Sequence, residues 1–192
     1  MNNLPNRRLV LISGSIAAGK TTAARALATL ARSLGATAAA IDMDEMIEAV
    51  AGNDWSTITE AARLRACRAT ASFVQTCFES GAELIAVAGS TLSPYEWDEV
   101  TRLLDPAPDT LYVLLRVSLA ESIRRAQADS TRVHTRAPAH VEKLAAAIDW
   151  SAVRNHDIEI DTDGMTAEDV VGFILTNVAS PLHKRRGLGE GS

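Results

Sequence analysis

Residues 14 to 21 read Gly14-Ser15-Ile16-Ala17-Ala18-Gly19-Lys20-Thr21. This G-x-x-x-x-G-K-T spacing constrains the fold more than any other stretch, because it needs a strand before it and a helix after it. The sequence offers both. "RLVLIS" at 8–13 is a short, continuous apolar run of the kind that forms a fully buried strand, and from Lys20 to about Ser33 apolar residues recur at helical spacing up to Gly35. Glycines let backbone N–H groups turn inward around phosphate oxygens, and the helix N-terminus adds partial positive charge. Gly14, Ser15, Ala17, Ala18, Gly19, Lys20, Thr21 and Thr22 are therefore the candidates for contact with a nucleoside triphosphate. Lys20 is placed to reach the β- and γ-phosphates, and the Thr21 hydroxyl to ligate Mg²⁺.

The rest of the chain alternates in the same manner. Strands are expected at 36–42, 83–90, 110–118 and 156–161. Helices are expected at 43–50, 58–80, 93–105, 119–129, 138–148 and 166–180. Strands alternating with helices predict an α/β protein with a parallel sheet covered on both faces. No internal repeat or linker divides it, so residues 1–180 read as one domain. The tail 181–192, "PLHKRRGLGEGS", reads as frayed.

Composition removes several classes of partner. The net charge of −5 and the 4% of aromatic residues leave little with which to track a nucleic-acid backbone or stack on bases. The apolar run before Ser13 is too short for a signal-peptide core or a membrane span, which points to the cytoplasm. Cys67 and Cys77 fall on one expected helix, where ten residues correspond to roughly 15 Å of rise, so they read as buried thiols rather than a disulfide. The four histidines show no metal-ligand spacing.

The loop, "AIDMDEMIEA" at 40–49, "RRAQADSTR" at 124–132 and "DIEIDTDGMTAEDV" at 157–170 together resemble the small P-loop kinases. The resemblance is to the shikimate and gluconate kinase group and to chloramphenicol phosphotransferase. It implies a three-layer α/β/α sandwich with a five-stranded parallel sheet of order 2-3-1-4-5. It also implies ATP and Mg²⁺ as the nucleotide and metal used. In such kinases the second acid of a pair such as Asp42 and Asp44 contacts the acceptor hydroxyl and can act as base, while the first lies near the magnesium shell. Alternatively Asp44 caps the next helix and Asp42 is solvated. Arg125 and Arg132 resemble the lid arginines of shikimate-type kinases, one stacking on adenine and one reaching the phosphates, which places a lid at about 125–138. Arg136 is a candidate for the acceptor, and His134 reads as a surface residue.

The turn after the third expected strand, "VAGSTLSP", has no acid where many P-loop ATPases carry one. That departs from chloramphenicol phosphotransferase and is closer to shikimate kinase, so Gly89, Ser90 and Thr91 are candidates to line the acceptor pocket. Arg65 and Arg68 share a helix face and either clamp an acidic group of the acceptor, as an arginine on this helix does in shikimate kinase, or are solvated, or pair with Glu60 and Glu79. Trp55 and Trp97 are pocket walls or packing residues. These readings converge on transfer of the γ-phosphate of Mg·ATP to a hydroxyl of a small molecule, by a monomer or homodimer acting without nucleic acid or membrane. The alternatives are an ATP-binding module or weak NTPase, a nucleoside or nucleotide kinase, and a nucleic-acid-end kinase.

Overall fold

The computed structural model describes residues 7–90, 93–130, 136–153 and 156–178. Five strands form one all-parallel sheet: β1 (Arg8–Gly14), β2 (Ala38–Asp42), β3 (Leu84–Ala88), β4 (Asp109–Arg116) and β5 (Ile158–Asp161). Their order is β2-β3-β1-β4-β5, as the resemblance implied. The helices are α1 (Lys20–Ser33), α2 (Met43–Ala51), α3 (Glu60–Glu79), α4 (Pro94–Thr101), α5 (Leu119–Ala128), α6 (Pro138–Ala146) and α7 (Ala167–Val178).

Side chains of a strand alternate between faces, and β1 uses both. Val10 and Ile12 pack with α1 and α7, whereas Leu9 and Leu11 pack with α2, α3 and α4. All four are at most 1% exposed, which accounts for the unbroken apolar run at the sheet centre. The resulting three layers put every strand's C-terminal end at one edge of the sheet, where ligands bind in open α/β folds.

Several expected elements are shorter in the structure, β2 and α4 among them. β2 begins at Ala38 because Thr37 is bound to the chain before β3: its N–H donates to the Glu83 carboxylate and its carbonyl accepts from Glu83 and Leu84. α4 ends at Thr101, where Arg102 closes the helix and Leu104 turns back on Thr101. Both cysteines are free thiols. Burial first, with Glu96 and Glu99 nearby, pushes the Cys67 thiol up to about 12.

Candidate active site

The phosphate loop runs from the end of β1 to the start of α1. Its shape depends on what touches Gly14: a Cβ there would lie 2.1 Å from the Leu115 carbonyl oxygen on β4, so only hydrogen fits. Gly19, with φ +89°, turns the chain left-handed into α1, and Ala17 takes the left-handed region at φ +58°. Ser15 N–H donates to Leu115 O, and the Ser122 hydroxyl on α5 donates to Ile16 O, so the loop is held from two sides. The Lys20 ammonium lies across the loop, donating to Gly14 O at 3.2 Å and Ser15 O at 3.0 Å. The Ser15 hydroxyl is buried without a hydrogen-bond partner. A buried, unsatisfied hydroxyl in a Gly-bounded turn at a helix N-terminus fits a phosphate oxygen.

Beyond the loop, the two acids of the second strand take different places. Asp42, the last residue of β2, is the N-cap of α2: its Oδ1 accepts from Asp44 N–H at 2.9 Å. Its Oδ2 accepts from the Thr21 hydroxyl at 2.7 Å. This hydroxyl–carboxylate pair at the N-terminus of α1 is a donor set suited to a hard cation such as Mg²⁺. The alternative in which Asp44 caps the helix is thus corrected, since the first acid and not the second has the turn geometry. Asp44, released from that task, reaches the turn after β3. Its Oδ1 accepts from Ser90 N–H at 3.0 Å and its Oδ2 from the Ser90 hydroxyl at 2.6 Å. Gly89 just before it makes room, because a Cβ there would sit 3.1 Å from Met43 Cβ.

On the opposite side of the loop is an open cavity of roughly 240 Å³, lined by Ala18, Gly19, Arg125, Thr162, Met165 and Val170 among others. Arg125 is held at its edges: Nε donates to Glu121 at 2.7 Å, and its two terminal nitrogens donate to the hydroxyl and carbonyl of Thr162. A guanidinium bonded around its rim still offers a planar face for stacking. Hydrogen bonds from Arg124 and then Arg125 hold the Glu121 carboxyl down at about 2.

Comparison with known proteins follows this geometry. The shikimate kinase family model matches residues 16–179. The chain belongs to the shikimate kinase family. No curated protein sequence matches it significantly. Solved structures similar in fold include the APS kinase CysC of Mycobacterium tuberculosis in complex with AMPPNP and APS, at 17% identity and TM-score 0.69, covering 92% of this chain and 99% of that one. Shikimate kinase from Acinetobacter baumannii in complex with shikimate is similar at 19% identity and TM-score 0.56, covering 91% and 94%. A gluconokinase from Sinorhizobium meliloti is similar at 14% identity and TM-score 0.61, covering 92% and 93%. Family and fold together support an ATP-dependent kinase of small molecules. Among the described residues no helix is long and apolar enough to cross a membrane.

Not every expected site residue of this shikimate kinase family member joins the loop or the Asp44 turn. Arg68 is a correction: its Nε donates to Glu99 on α4 at 2.8 Å, and Arg102 binds the other oxygen of the same carboxylate. These hydrogen bonds, that of Arg68 foremost, hold Glu99 well below the usual carboxylate range. Pairing with Glu60 or Glu79 does not occur, for Glu79 accepts instead from Gln75. Arg65 is exposed and makes no ion pair among the described residues. Arg136 is exposed and donates to Gln127 O at the end of α5. Arg132, His134, Thr91 and the tail lie outside the described residues. Trp97 is a packing residue, 1% exposed, with its indole N–H on the Ser13 hydroxyl at 3.0 Å. Arg63, on the same helix and given no role by any motif, lies over the Trp55 ring at 5.7 Å and 3.6 Å from Glu96. Its signal was its place one turn into α3, close behind Trp55.

Proposed function

We propose that this protein transfers the γ-phosphoryl group of Mg·ATP to a hydroxyl of a small molecule bound beside Asp44. The observation that carries the reading is one continuous run of hydrogen bonds. It passes from Thr21 in the phosphate loop through Asp42 to Asp44, and on to Ser90. A nucleotide-gated module needs the loop alone, whereas a kinase needs a carboxylate held at fixed distance from it. In-line transfer to a hydroxyl depends on positioning and charge stabilisation more than on covalent chemistry.

Each residue then has a task. The backbone of Gly14 to Gly19 binds the phosphates, and Lys20 moves its ammonium from the loop carbonyls to the transferring phosphoryl group. Thr21 and Asp42 would hold Mg²⁺, which would supply charge neutralisation to the phosphates. Arg125 offers its face to the base, and Arg132 adds charge from the lid. Asp44 accepts a hydrogen bond from the acceptor hydroxyl, orienting it or taking its proton. Gly89 and Ser90 form the floor beneath it.

The test is mass-spectrometric detection of phosphorylated products from Mg·ATP and a pooled library of sugar acids, cyclitols, nucleosides, nucleotides and hydroxylated antibiotics. Wild type, Lys20→Ala and Asp44→Asn run in parallel. A singly phosphorylated product lost in both variants supports transfer. ATP binding with no product from any pool, and slow hydrolysis untouched by Asp44→Asn, would sink it in favour of the nucleotide-gated module.

A further inference from the structure

Arg125 lines the open cavity of roughly 240 Å³ that borders the phosphate loop at Ala18 and Gly19. Its neighbour Arg124 stands outside that cavity, its side chain 68% exposed against 21% for Arg125. A guanidinium in such a place has two uses. It can fork its N–H groups onto phosphate oxygens, or it can present its face to a flat ring. What already occupies its nitrogens decides between them.

All three nitrogens are engaged by the protein itself. Nε donates to Glu121, one turn earlier on α5, and the other two donate to the hydroxyl and the carbonyl of Thr162, just after β5. Thr162 is 1% exposed and is pinned in turn: its hydroxyl and its N–H both donate to Arg116 O on β4, at 2.9 Å and 2.8 Å. The two partners of Arg125 are also tied to each other. The Ser118 hydroxyl caps α5 by accepting from Glu121 N–H, and Ser118 N–H donates at 2.9 Å to the carboxylate of Asp163, the residue after Thr162. The contacts close a ring, Arg125–Glu121–Ser118–Asp163–Thr162, that joins α5 to the turn between β5 and α7. Glu121, whose carboxyl Arg124 and Arg125 hold at about 2, is ionised at neutral pH and balances the charge of the guanidinium it holds. With one N–H of every nitrogen spent on protein acceptors, the guanidinium is committed at its rim, and what it presents to the cavity is its face.

We infer that Glu121 and Thr162 are positioning residues for the nucleotide: they fix the plane of Arg125 so that it serves as a platform for the base and takes no part in holding the phosphates. This rests on the reading above in which Arg125 faces the base, and it deepens that reading by naming what aims the guanidinium. Base affinity is then set by two residues that need not touch the base, and phosphate affinity is set by the loop.

The experiment is calorimetric titration, in the presence of Mg²⁺, with ATP and with inorganic tripolyphosphate, which has the phosphate chain and no base. Glu121→Ala and Thr162→Val should each weaken ATP about tenfold, the scale of one stacked base, and leave the Kd for tripolyphosphate unchanged. Thr162→Ser, which keeps the hydroxyl, should bind ATP as wild type does. Glu159→Gln breaks an ion pair with Arg116 on the other face of β5 and should alter neither ligand. Equal weakening of both ligands in Glu121→Ala and Thr162→Val would make the ring a scaffold for the loop. ATP binding untouched by either would mean that Arg125 needs no holding. Each of these results overturns the inference and leaves the kinase reading standing. A wild-type protein that binds neither ligand overturns both.

Discussion

Asp42 serves two partners with two oxygens, and two substitutions separate them. Asp42→Ala removes the cap from α2 and the acceptor of the Thr21 hydroxyl together. Loss of such a cap costs about 1 kcal/mol, whereas Asn caps about as well as Asp. In a chain of 192 residues, a loss of that size lowers the melting midpoint by about 2–4 °C. Without nucleotide, Asp42→Ala should therefore melt lower than wild type by that amount, and Asp42→Asn within about a degree of it. Mg·ATP at about 100 times its Kd should add about 2.7 kcal/mol to the wild type. Asp42→Asn, lacking the negative charge beside Thr21, should gain markedly less. Thermal unfolding by circular dichroism, with and without Mg·ATP, measures both. If Asp42→Asn melts as low as Asp42→Ala in the absence of nucleotide, the cap assignment is wrong. If it gains the full wild-type increment from Mg·ATP, the carboxylate's charge has no part at the phosphate loop.

Two further outcomes follow from packing and charge. Trp97→Phe keeps an aromatic ring between α4 and β1 but loses the N–H bond to Ser13, so urea unfolding should show a loss of about 1 kcal/mol, against about 3–5 kcal/mol for Trp97→Ala. The Glu121 carboxyl is depressed from 4.5 to about 2 by Arg124 and Arg125, so its stabilising contribution is present above pH 4.5 and is lost as pH falls toward 2. Glu121→Gln should accordingly flatten the fall in melting midpoint across that window, and an unchanged acid limb would show that the pair contributes nothing.

The phosphate loop was legible because its chemistry is local. Eight consecutive residues set the turn, the helix dipole and the lysine, and the strand and helix around them carry their own periodicities. The strand order followed from resemblance, and the structure has it. What the sequence did not reveal is which side chain meets which across elements. That Asp42 and not Asp44 caps α2 depends on where β2 ends, a boundary at which Asp42 still pairs with Ala88 of β3. Arg68 was read as clamping an acceptor or pairing with acids of its own helix, but its partner Glu99 stands 31 positions away on a helix whose rotation no local pattern dictates. Ser90 was one of several polar residues on a turn. Only the approach of α2 makes it the residue that holds Asp44.

The contact between Gly14 and Leu115 bears on how the chain is born. The whole signature of nucleotide binding has been synthesised by Thr21, yet the carbonyl that walls the loop belongs to a residue about a hundred positions later in the chain. A nascent chain that has not reached β4 possesses the motif without the pocket. Pairing β1 with β4 is a long-range closure, slow in its own right. Nucleotide can therefore stabilise only chains in which that pairing is already made, since a ligand favours the state that binds it. The central strand thus waits, through the synthesis of β2 and β3, for the neighbour that completes its loop.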